Sequence, residues 1–471
     1  MLKDHITELI VKVLGHQPTF DQLNALKLLS DFILSDEENL VFILRGYAGT
    51  GKTTLISALV KVWTSQKQKV VLLAPTGRAA KVVSSYAQFP ASTIHKKIYR
   101  RSSSVDIDGK FLLDRNPHKD TLFIVDEASM IGDSSDDENV FGSGNVLLDL
   151  LDYVDSGQRC KLIFSGDVAQ LPPVGLRISP ALLEQELQFY GKKAIVATLR
   201  DVVRQTDESG ILSIATEIRN RLIEKNFSLP IFRIDGFPDV EVISSSELFH
   251  ERLEEMVNRF GIDQVLVVTR SNQKANQYNA ALRQWILGFE EEIGSGDRLM
   301  VVKNNYFWKV EEDDFIANGD IFYLKRIRSM VDRYGFRFAE ATVVLSDAKN
   351  TELEVILLID TLHSNAASLS SEQNRALFFS IAEDYSGISQ KTKRLKAIRE
   401  DRYFNALQVK FAYALTCHKA QGGQWKAVFV DPGFFTEDML DVEYLRWLYT
   451  AFTRAQEKLF LVNFSKRFFF Y

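Results

Sequence analysis

Short apolar runs alternate with amphipathic segments through the first part of the chain. Residues 40–45 form an apolar run that predicts a strand ending at a glycine-rich turn, and residues 52–63 have the period of a helix. Further strands are predicted at residues 70–74, 122–125 and 162–165, each followed by polar residues and a helical segment. This alternation predicts a parallel sheet covered by helices.

A second series of the same kind occupies the later part of the chain. It starts near Gly261 with a predicted strand at residues 264–268 and a helix at 272–287, and it resumes with strands at 427–430 and 459–462. Because these segments repeat the strand and helix order of the first part, they predict a second α/β domain.

The stretch that interrupts this second domain has a different pattern. Residues 294–410 contain short strand patterns such as 321–327 and 342–345, whereas residues 370–402 are polar, lysine-rich and helical in period. We therefore predict a small β-rich module inserted into the second domain, with a helical excursion at about 370–402. The predicted domains are residues 1–197 for the first, and residues 198–293 together with 411–471 for the second.

Length and composition agree with this plan. The chain has 471 residues, more than one hydrophobic core usually supports, and its 46% hydrophobic and 25% charged residues are ordinary for a globular protein. Asp4 and Glu8 interrupt the apolar pattern of the N-terminus, and the longest apolar stretches are only strand-length, so we expect a cytoplasmic protein without a membrane partner. Cys160 and Cys417 lack the spacing of a metal site. The net charge of −5 does not exclude nucleic acid, because a basic channel can lie within an acidic protein.

The clearest chemical signal is a glycine-rich loop between the first predicted strand and its helix. The segment G-Y-A-G-T-G-K-T at residues 46–53 fits the pattern G-x-x-x-x-G-K-[ST] in its required context. Backbone N–H groups of such a loop wrap phosphates, Lys52 neutralises the β and γ oxygens, and the Thr53 hydroxyl reaches Mg²⁺. The sequence therefore predicts a nucleotide site formed by Gly46, Gly49, Thr50, Gly51, Lys52, Thr53 and Thr54.

Two carboxylates follow the predicted strand at residues 122–125. Asp126 and Glu127 occupy the strand end from which side chains project over bound phosphates. One carboxylate can hold Mg²⁺ while its neighbour orients and deprotonates the attacking water, so we assign Asp126 to the metal, with Thr53, and Glu127 to the base. Such a pair alone is more typical of a solvated loop, and the upstream phosphate loop is what favours the catalytic interpretation.

A glutamine follows the next predicted strand. Gln170 precedes Pro172 and Pro173, which force an extended and stiff segment. We expect Gln170 to contact the γ-phosphate or the attacking water and to transmit hydrolysis to that segment. Without the phosphate loop, the same residues would predict only a turn.

Further short segments follow one another in order along the chain. They are A-P-T-G-R-A-A at 74–80, S-T-I-H at 92–95, D-E-A-S-M at 126–130, G-D-V-A-Q-L-P-P at 166–173, V-R-Q at 203–205, T-C-H-K-A-Q-G at 416–422 and L-Y-T-A-F-T-R-A at 448–455. Together with the phosphate loop they resemble the helicase motifs of superfamily 1, and they are most similar to the RecD and Dda-like branch, superfamily 1B. The resemblance spans nearly the whole chain.

This resemblance implies both a fold and an activity. The fold would be two RecA-like P-loop motor domains with parallel sheets, with an SH3-like module inserted in the second. The activity would be that of an ATP-dependent DNA helicase that hydrolyses ATP in the cleft between the motor domains, moves 5′ to 3′ on single-stranded DNA and unwinds duplex.

The resemblance also assigns roles to three further side chains. Arg204 and Arg454 match family positions that reach the γ-phosphate across the cleft, a task that suits the fixed, permanently charged fork of a guanidinium. Gln22 matches a glutamine that reads the adenine edge through paired hydrogen bonds. The alternative for Gln22 is an ordinary residue on the surface of a helix.

A path for the DNA strand is implied across both domains. Contacts in this family fix the backbone without reading sequence. The matching residues are Pro75, Thr76, Thr93, His95, Thr416, His418 and Lys419. The alternative for the two histidines is a hydrogen-bonded position in the core.

Two segments invite more specific interpretations. Residues 96–119 mix basic and aromatic side chains where relatives carry a hairpin, or pin, that splits the duplex, although a basic run is often only a solvated face. Residues 132–145 form an acidic loop that is longer than is usual in the family, and we expect it to point away from the strand or to contact a partner.

We therefore expect ATP and Mg²⁺ as cofactors, single-stranded DNA and duplex forks as partners, and a monomer. An RNA-directed helicase or translocase is an alternative, because contacts to the backbone do not by themselves select the sugar. An ATP-gated single-strand-binding clamp is a second alternative, but Lys52, Glu127 and Arg454 are all present, which favours an enzyme that turns over.

Overall fold

Two parallel sheets and a closed barrel organise the chain. The structure is a computed structural model, and it describes residues 2–101, 111–133, 141–202, 209–309, 315–345 and 351–470. Within these ranges, no helix has the length and apolar character needed to cross a membrane.

The first domain is built on a six-stranded parallel sheet. The strands in this part of the chain are β1 (Leu40–Gly46), β2 (Lys69–Ala74), β3 (Ala91–Thr93), β4 (Tyr99–Arg101), β5 (Phe111–Leu113), β6 (Thr121–Val125), β7 (Lys161–Gly166) and β8 (Lys193–Leu199). The sheet order is β3-β2-β6-β7-β1-β8, and every neighbouring pair is parallel. Strands β4 and β5 form a separate antiparallel hairpin.

Helices cover both faces of this sheet. They are α1 (Leu2–Leu14), α2 (Phe20–Leu34), α3 (Lys52–Ser65), α4 (Gly77–Ala87), α5 (Ile94–Ile98), α6 (Val146–Asp155) and α7 (Glu184–Phe189). Alternate side chains of a strand point to opposite faces, so Phe42 and Leu44 join the core under α1 to α4, while Val41 and Ile43 join the core under α5 to α7. Burial on both faces explains the nearly continuous apolar runs of these strands.

The second domain begins with alternating helices and strands. These are α8 (Gly210–Glu224), β9 (Val240–Ile243), α9 (Ser246–Phe260), β10 (Val265–Thr269) and α10 (Asn272–Trp285). Ser209, Ser245 and Ser271 each accept a backbone N–H bond at the N-terminus of α8, α9 and α10, respectively, which sets where each helix starts.

A five-stranded closed barrel then interrupts the second domain. Its strands are β11 (Arg298–Val301), β12 (Ile321–Arg333), β13 (Phe336–Leu345), β14 (Glu352–Leu358) and β15 (Leu407–Phe411). Between β14 and β15 lie α11 (Asp360–His363), α12 (Ser371–Asp384) and α13 (Lys391–Arg399). This is the inserted β-rich module, and its helices lie in the segment for which a helical excursion is expected.

The chain then returns to the second sheet. The remaining elements are β16 (Ala414–Thr416), α14 (Cys417–Ala420), β17 (Trp425–Asp431), α15 (Val442–Phe452) and β18 (Ala455–Val462). The sheet order is β16-β10-β17-β18-β9, again with every pair parallel. The predicted α/β class, with two parallel-sheet domains and a barrel in the second, is thereby confirmed.

Candidate nucleotide cleft and strand path

The predicted site residues of the first domain collect at one edge of its sheet. Parallel strands share the edge at which their carboxyl ends lie. The phosphate loop follows β1, Thr76 follows β2, Asp126 follows β6 and Asp167 follows β7. The topology therefore brings distant segments of the sequence to one site.

The phosphate loop joins β1 to α3 through backbone conformations that favour glycine. Gly49 and Gly51 have φ values of +77° and +82°, in the left-handed region. Lys52 Nζ donates to the carbonyl oxygens of Gly46 and Tyr47 at 2.6 and 3.0 Å, so the ammonium lies within the loop. Thr54 is exposed on the first turn of α3.

Gln22 is a buried residue that links α2 to the phosphate loop. Its Nε2 donates to the Thr50 carbonyl oxygen at 3.0 Å, and its Oε1 accepts the Thr19 N–H at 3.1 Å in a capping box. Only 2% of Gln22 is exposed, so the alternative of a surface residue is wrong. Its contact with adenine stays a prediction, and its observed contacts give it a second task, supporting the loop.

Asp126 and Thr53 approach each other as a metal pair requires. Thr53 Oγ1 lies 3.3 Å from Asp126 Oδ2, and Ser165 Oγ donates to Asp126 Oδ1 at 2.8 Å. Ser165, at the end of β7, was not singled out from the sequence, because a serine in an apolar strand carries no distinctive signal. It fixes the rotamer of the carboxylate from the neighbouring strand.

Glu127 has an uncommon backbone conformation at this edge. Its φ of +54° lies in the left-handed region, which costs free energy for a residue with a side chain and is found more often at functional sites. Burial raises the pKa of the Glu127 carboxyl, Arg454 opposes that rise, and Asp126 adds to it. The carboxyl therefore shares one electrostatic environment with the predicted metal ligand and with an arginine of the second domain.

Arg454 is held rigidly at the end of α15. Its Nε donates to the Thr450 carbonyl oxygen at 3.0 Å and its Nη1 donates to the Gly423 carbonyl oxygen at 3.1 Å. Only 3% of the residue is exposed. Arg204, the other arginine assigned to the cleft, lies outside the described residues.

Gln170 lies in a segment that is hydrogen-bonded to the second domain through its neighbour Leu171. Leu171 donates its N–H to Thr450 Oγ1 at 2.8 Å, and its carbonyl oxygen accepts from Gln421 Nε2 at 2.6 Å. Gln170 itself is buried, and its Oε1 has no hydrogen-bond partner among the described residues. Thr450 and Gln421 were missed from the sequence, although both lie within the quoted motifs, because polarity alone does not name a partner.

The predicted strand contacts divide between the two domains. Thr76 and Thr93 each cap a helix, accepting the N–H of Ala79 and of Lys96 at 3.2 Å. The second domain contributes Thr416 at the end of β16, His418, which is exposed, and Lys419, whose Nζ lies 2.7 Å from Asn318 Oδ1 of the barrel. Pro75 precedes Thr76 at the end of β2, and the role of all these residues in strand binding stays a prediction.

His95 packs within an aromatic cluster. Its ring centroid lies 5.0 Å from that of Phe141 and 5.7 Å from that of Tyr99. Burial lowers the pKa of His95 to about 4, so its imidazole is neutral at pH 7. His95 is only partly buried, so its role in strand binding and the alternative of a hydrogen-bonded core position both stay predictions.

The base of the predicted pin is an antiparallel hairpin that packs toward the barrel. Tyr99 pairs with Leu113 across β4 and β5, while residues 102–110, the centre of the predicted pin, lie outside the described residues. The Phe111 ring lies 4.4 Å from that of Tyr306, in the loop that follows β11. Residues 134–140 of the acidic loop also lie outside the described residues.

These features define a class. A parallel sheet that carries a phosphate loop, facing an arginine from a second parallel-sheet domain, is the architecture of a P-loop nucleoside triphosphatase with two RecA-like domains. The family described as AAA domain matches residues 32–228, and the family described as UvrD-like helicase C-terminal domain matches residues 411–462. Both matches support the resemblance of this chain to the superfamily 1B helicases of the RecD and Dda type.

Individual relatives differ in how much of the chain they match. A protein of Enterobacteria phage T4, the ATP-dependent DNA helicase dda, is 24% identical over 94% of this chain and 100% of its own length. The ATP-dependent RecD2 DNA helicase of Deinococcus radiodurans is 32% identical over 37% of this chain and 21% of its own length. A Pif1 helicase structure from Bacteroides, in complex with ADP-AlF3 and ssDNA, has a TM-score of 0.48 and 14% identity, covering 97% of this chain and 95% of that one.

Proposed function

We propose that this protein is an ATP-dependent DNA helicase that moves 5′ to 3′ along single-stranded DNA and separates duplex ahead of it. One observation carries the proposal: Lys52 and Asp126 of the first domain and Arg454 of the second lie near enough to the Glu127 carboxyl to shift its pKa. A site assembled from both domains makes hydrolysis depend on how the domains sit against each other. That dependence is what a motor needs.

The phosphate loop is suited to the β and γ phosphates of ATP. Its amide groups precede the N-terminus of α3, where the helix dipole favours negative charge. Thr53 and Asp126 present a hydroxyl and a carboxylate oxygen to one point, which is the donor chemistry that Mg²⁺ prefers. When bound there, Mg²⁺ would offset the charge of the phosphates.

Hydrolysis would use three side chains around the γ-phosphate. Glu127 orients and deprotonates the attacking water, and its raised pKa brings the carboxyl closer to the range of an effective base. Gln170 has a buried acceptor oxygen without a partner among the described residues, and we assign that oxygen to the attacking water. Arg454 stabilises the charge that develops on the phosphate oxygens.

Movement would follow from opening and closing of the cleft. ATP favours the closed arrangement, in which the 167–171 segment is bonded to α15 and to Gln421, and product release favours opening. Thr76 and Thr93 lie on one domain and Thr416 and Lys419 on the other, so each domain can hold the strand in turn. The names of the phage T4 and Deinococcus relatives, both DNA helicases, support DNA as the track.

A strand-displacement assay with two substrates tests the proposal. One duplex carries a 5′ single-stranded tail and the other a 3′ tail of the same sequence, and each is incubated with ATP and Mg²⁺ at one salt concentration, because backbone binding depends on salt. We expect displacement of the 5′-tailed duplex only, and none by a Lys52→Ala control. Displacement from the 3′ tail alone would refute the direction while leaving the helicase assignment intact.

ATPase measurements separate the alternatives. Hydrolysis is compared with matched single-stranded DNA and RNA oligomers at saturation. Stronger stimulation by RNA would favour the RNA-directed alternative, and tight strand binding without turnover would favour the ATP-gated clamp. We expect stimulation by DNA to exceed stimulation by RNA.

A further inference from the structure

Tyr449 joins three parts of the cleft through one hydroxyl group. It lies in α15 of the second domain, five residues before Arg454, and only 1% of it is exposed. Its hydroxyl accepts the N–H of Ala48 in the phosphate loop at 2.7 Å and donates to Asp167 Oδ2 at 2.8 Å. The phosphate loop and the 167–171 segment are therefore both bonded to the same helix through one atom.

The direction of each bond follows from chemistry. A backbone N–H can only donate, and a carboxylate can only accept, so the hydroxyl must accept from Ala48 and donate its single proton to Asp167. Burial, together with the neighbouring Asp167 charge, raises the pKa of Tyr449, so the proton is present at neutral pH. Asp167 is fully buried, and its Oδ1 accepts the Ala169 N–H at 2.9 Å, which fixes the turn that leads to Gln170.

We propose that Tyr449 is a positioning residue that fixes where Arg454 and Gln170 lie relative to the phosphate loop when the cleft closes. The hydroxyl ties Ala48 and Asp167 to α15, and Arg454 follows at the end of that helix. Displacement of the loop by a phosphate, or of the 167–171 segment by DNA, then moves the arginine through a rigid helix. This role rests on the proposed ATP hydrolysis and names a residue through which that hydrolysis responds to both ligands.

The helix provides its own control. Tyr444 lies on the same α15, is also 1% exposed, and its hydroxyl has no hydrogen-bond partner among the described residues. Tyr444→Phe and Tyr449→Phe each remove one buried oxygen atom from one helix, but only the second removes an interdomain bridge. Any difference between the two variants therefore reports the bridge rather than the loss of a hydroxyl.

The test compares steady-state ATP hydrolysis by the full-length protein with and without saturating oligothymidylate. Losing a hydrogen bond that forms fully only in the closed state lowers the rate by roughly tenfold. We expect Tyr449→Phe to lower the DNA-stimulated kcat by about that factor and to change KM for ATP by less than about threefold. We expect Tyr444→Phe to have the kcat of the wild-type protein. Equal kcat values in the two variants would overturn the proposal.

A second variant keeps the test decisive if Tyr449→Phe folds poorly. Asp167→Asn alters the other end of the bridge, and if Tyr449 acts through Asp167, the double variant loses no more kcat than the more impaired single variant. Additive losses overturn the proposal. Wild-type protein that does not hydrolyse ATP at all would instead refute the proposed function, and this inference with it.

Discussion

Glu127 shows how a single residue is placed by its backbone. The left-handed φ turns the chain directly after Asp126, so that two successive carboxyl groups meet different neighbours. Asp126 is fixed by Ser165 and lies beside Thr53, whereas the Glu127 carboxyl is influenced by Arg454 and Lys52. The division that we propose between a metal ligand and a base would therefore have a conformational cause, which the pair Asp-Glu in the sequence does not reveal.

Changing Glu127 to Gln should stop turnover while nucleotide binding persists. The amide keeps the shape of the side chain but cannot accept the proton of the attacking water, and loss of a general base lowers rates by about 10²- to 10⁴-fold. DNA-stimulated hydrolysis and binding of a fluorescent ATP analogue are measured together, with Glu372→Gln on the exposed face of α12 as the matched control. A near-normal rate in Glu127→Gln would show that another group is the base.

Replacing Arg454 with Ala should separate binding from catalysis in the same way. An arginine that acts on the transition state contributes about 10³-fold or more to the rate, while ground-state ATP is held by the phosphate loop. Because Arg454 also donates to the Thr450 and Gly423 carbonyl oxygens, Arg454→Lys is measured beside it, together with thermal unfolding of both variants. We expect hydrolysis to fall in both, with ATP affinity within a few-fold. Equal losses of affinity and rate would indicate a purely structural arginine.

At the scale of elements, the β4–β5 hairpin is the candidate wedge at the fork. Its base is part of the protein core: Tyr99 and Phe111 are buried, and Phe111 packs on Tyr306 beside the barrel. Replacing all of residues 96–119 would therefore remove core side chains along with the wedge. A replacement that is limited to the centre of the predicted pin is therefore more informative than a replacement of the whole pin.

Replacing residues 102–110 with a short Gly/Ser linker should abolish most unwinding and spare hydrolysis. No residue of this segment belongs to a phosphate-binding motif, and a flexible linker cannot hold separated strands apart. Strand-stimulated ATPase and displacement of a 5′-tailed duplex are measured in one buffer, with a Gly/Ser replacement of residues 346–350, which lie between β13 and β14 in the sequence, as control. Undiminished unwinding by the 102–110 variant would exclude this segment as the wedge.

Elements that bury both faces are the ones that the sequence predicts well. β1 and β6 contain the buried apolar runs 41–44 and 122–125, so their positions follow from the pattern alone. The strand predicted at residues 321–327 is β12, and it extends further, to Arg333. The prediction ended too early because the second half of β12 is largely exposed and lacks an apolar pattern. β9 was missed for a related reason, since four residues with a partly exposed middle give no clear periodicity.

The residues of the candidate site also fall into those that the sequence predicts and those that it does not. The phosphate loop and Asp126 could be found because a strand, a turn and a helix are contiguous in sequence. The bridge at Tyr449, the clamp on Leu171 and the support that Gln22 gives to the loop could not, since each depends on segments that only the tertiary fold brings together. Periodicity reports which side chains are buried, not which distant group they meet.

At the scale of the whole molecule, the two sheets share contacts that a simple two-domain plan does not anticipate. Ala169 and Leu171 of the first domain belong to the same apolar cluster as Leu448 and Phe452 of α15. Apolar packing and the interdomain hydrogen bonds thus hold the two domains in one relative arrangement. In the mechanism that we propose, opening of the cleft breaks these bonds, so the 167–171 segment is where ATP binding would be coupled to domain motion.

The strand order of the second sheet also dictates when that domain can be completed during synthesis. β9 is an edge strand whose neighbour is β18, near the end of the chain, and Phe232 pairs with Phe469. The first sheet and the barrel can each close once their own strands have left the ribosome. The second sheet needs β18 for this, so β9 and its apolar surroundings stay unpaired until residues 455–462 have left the ribosome. Termination near residue 455 would therefore leave β9 without its neighbouring strand and exposed to aggregation.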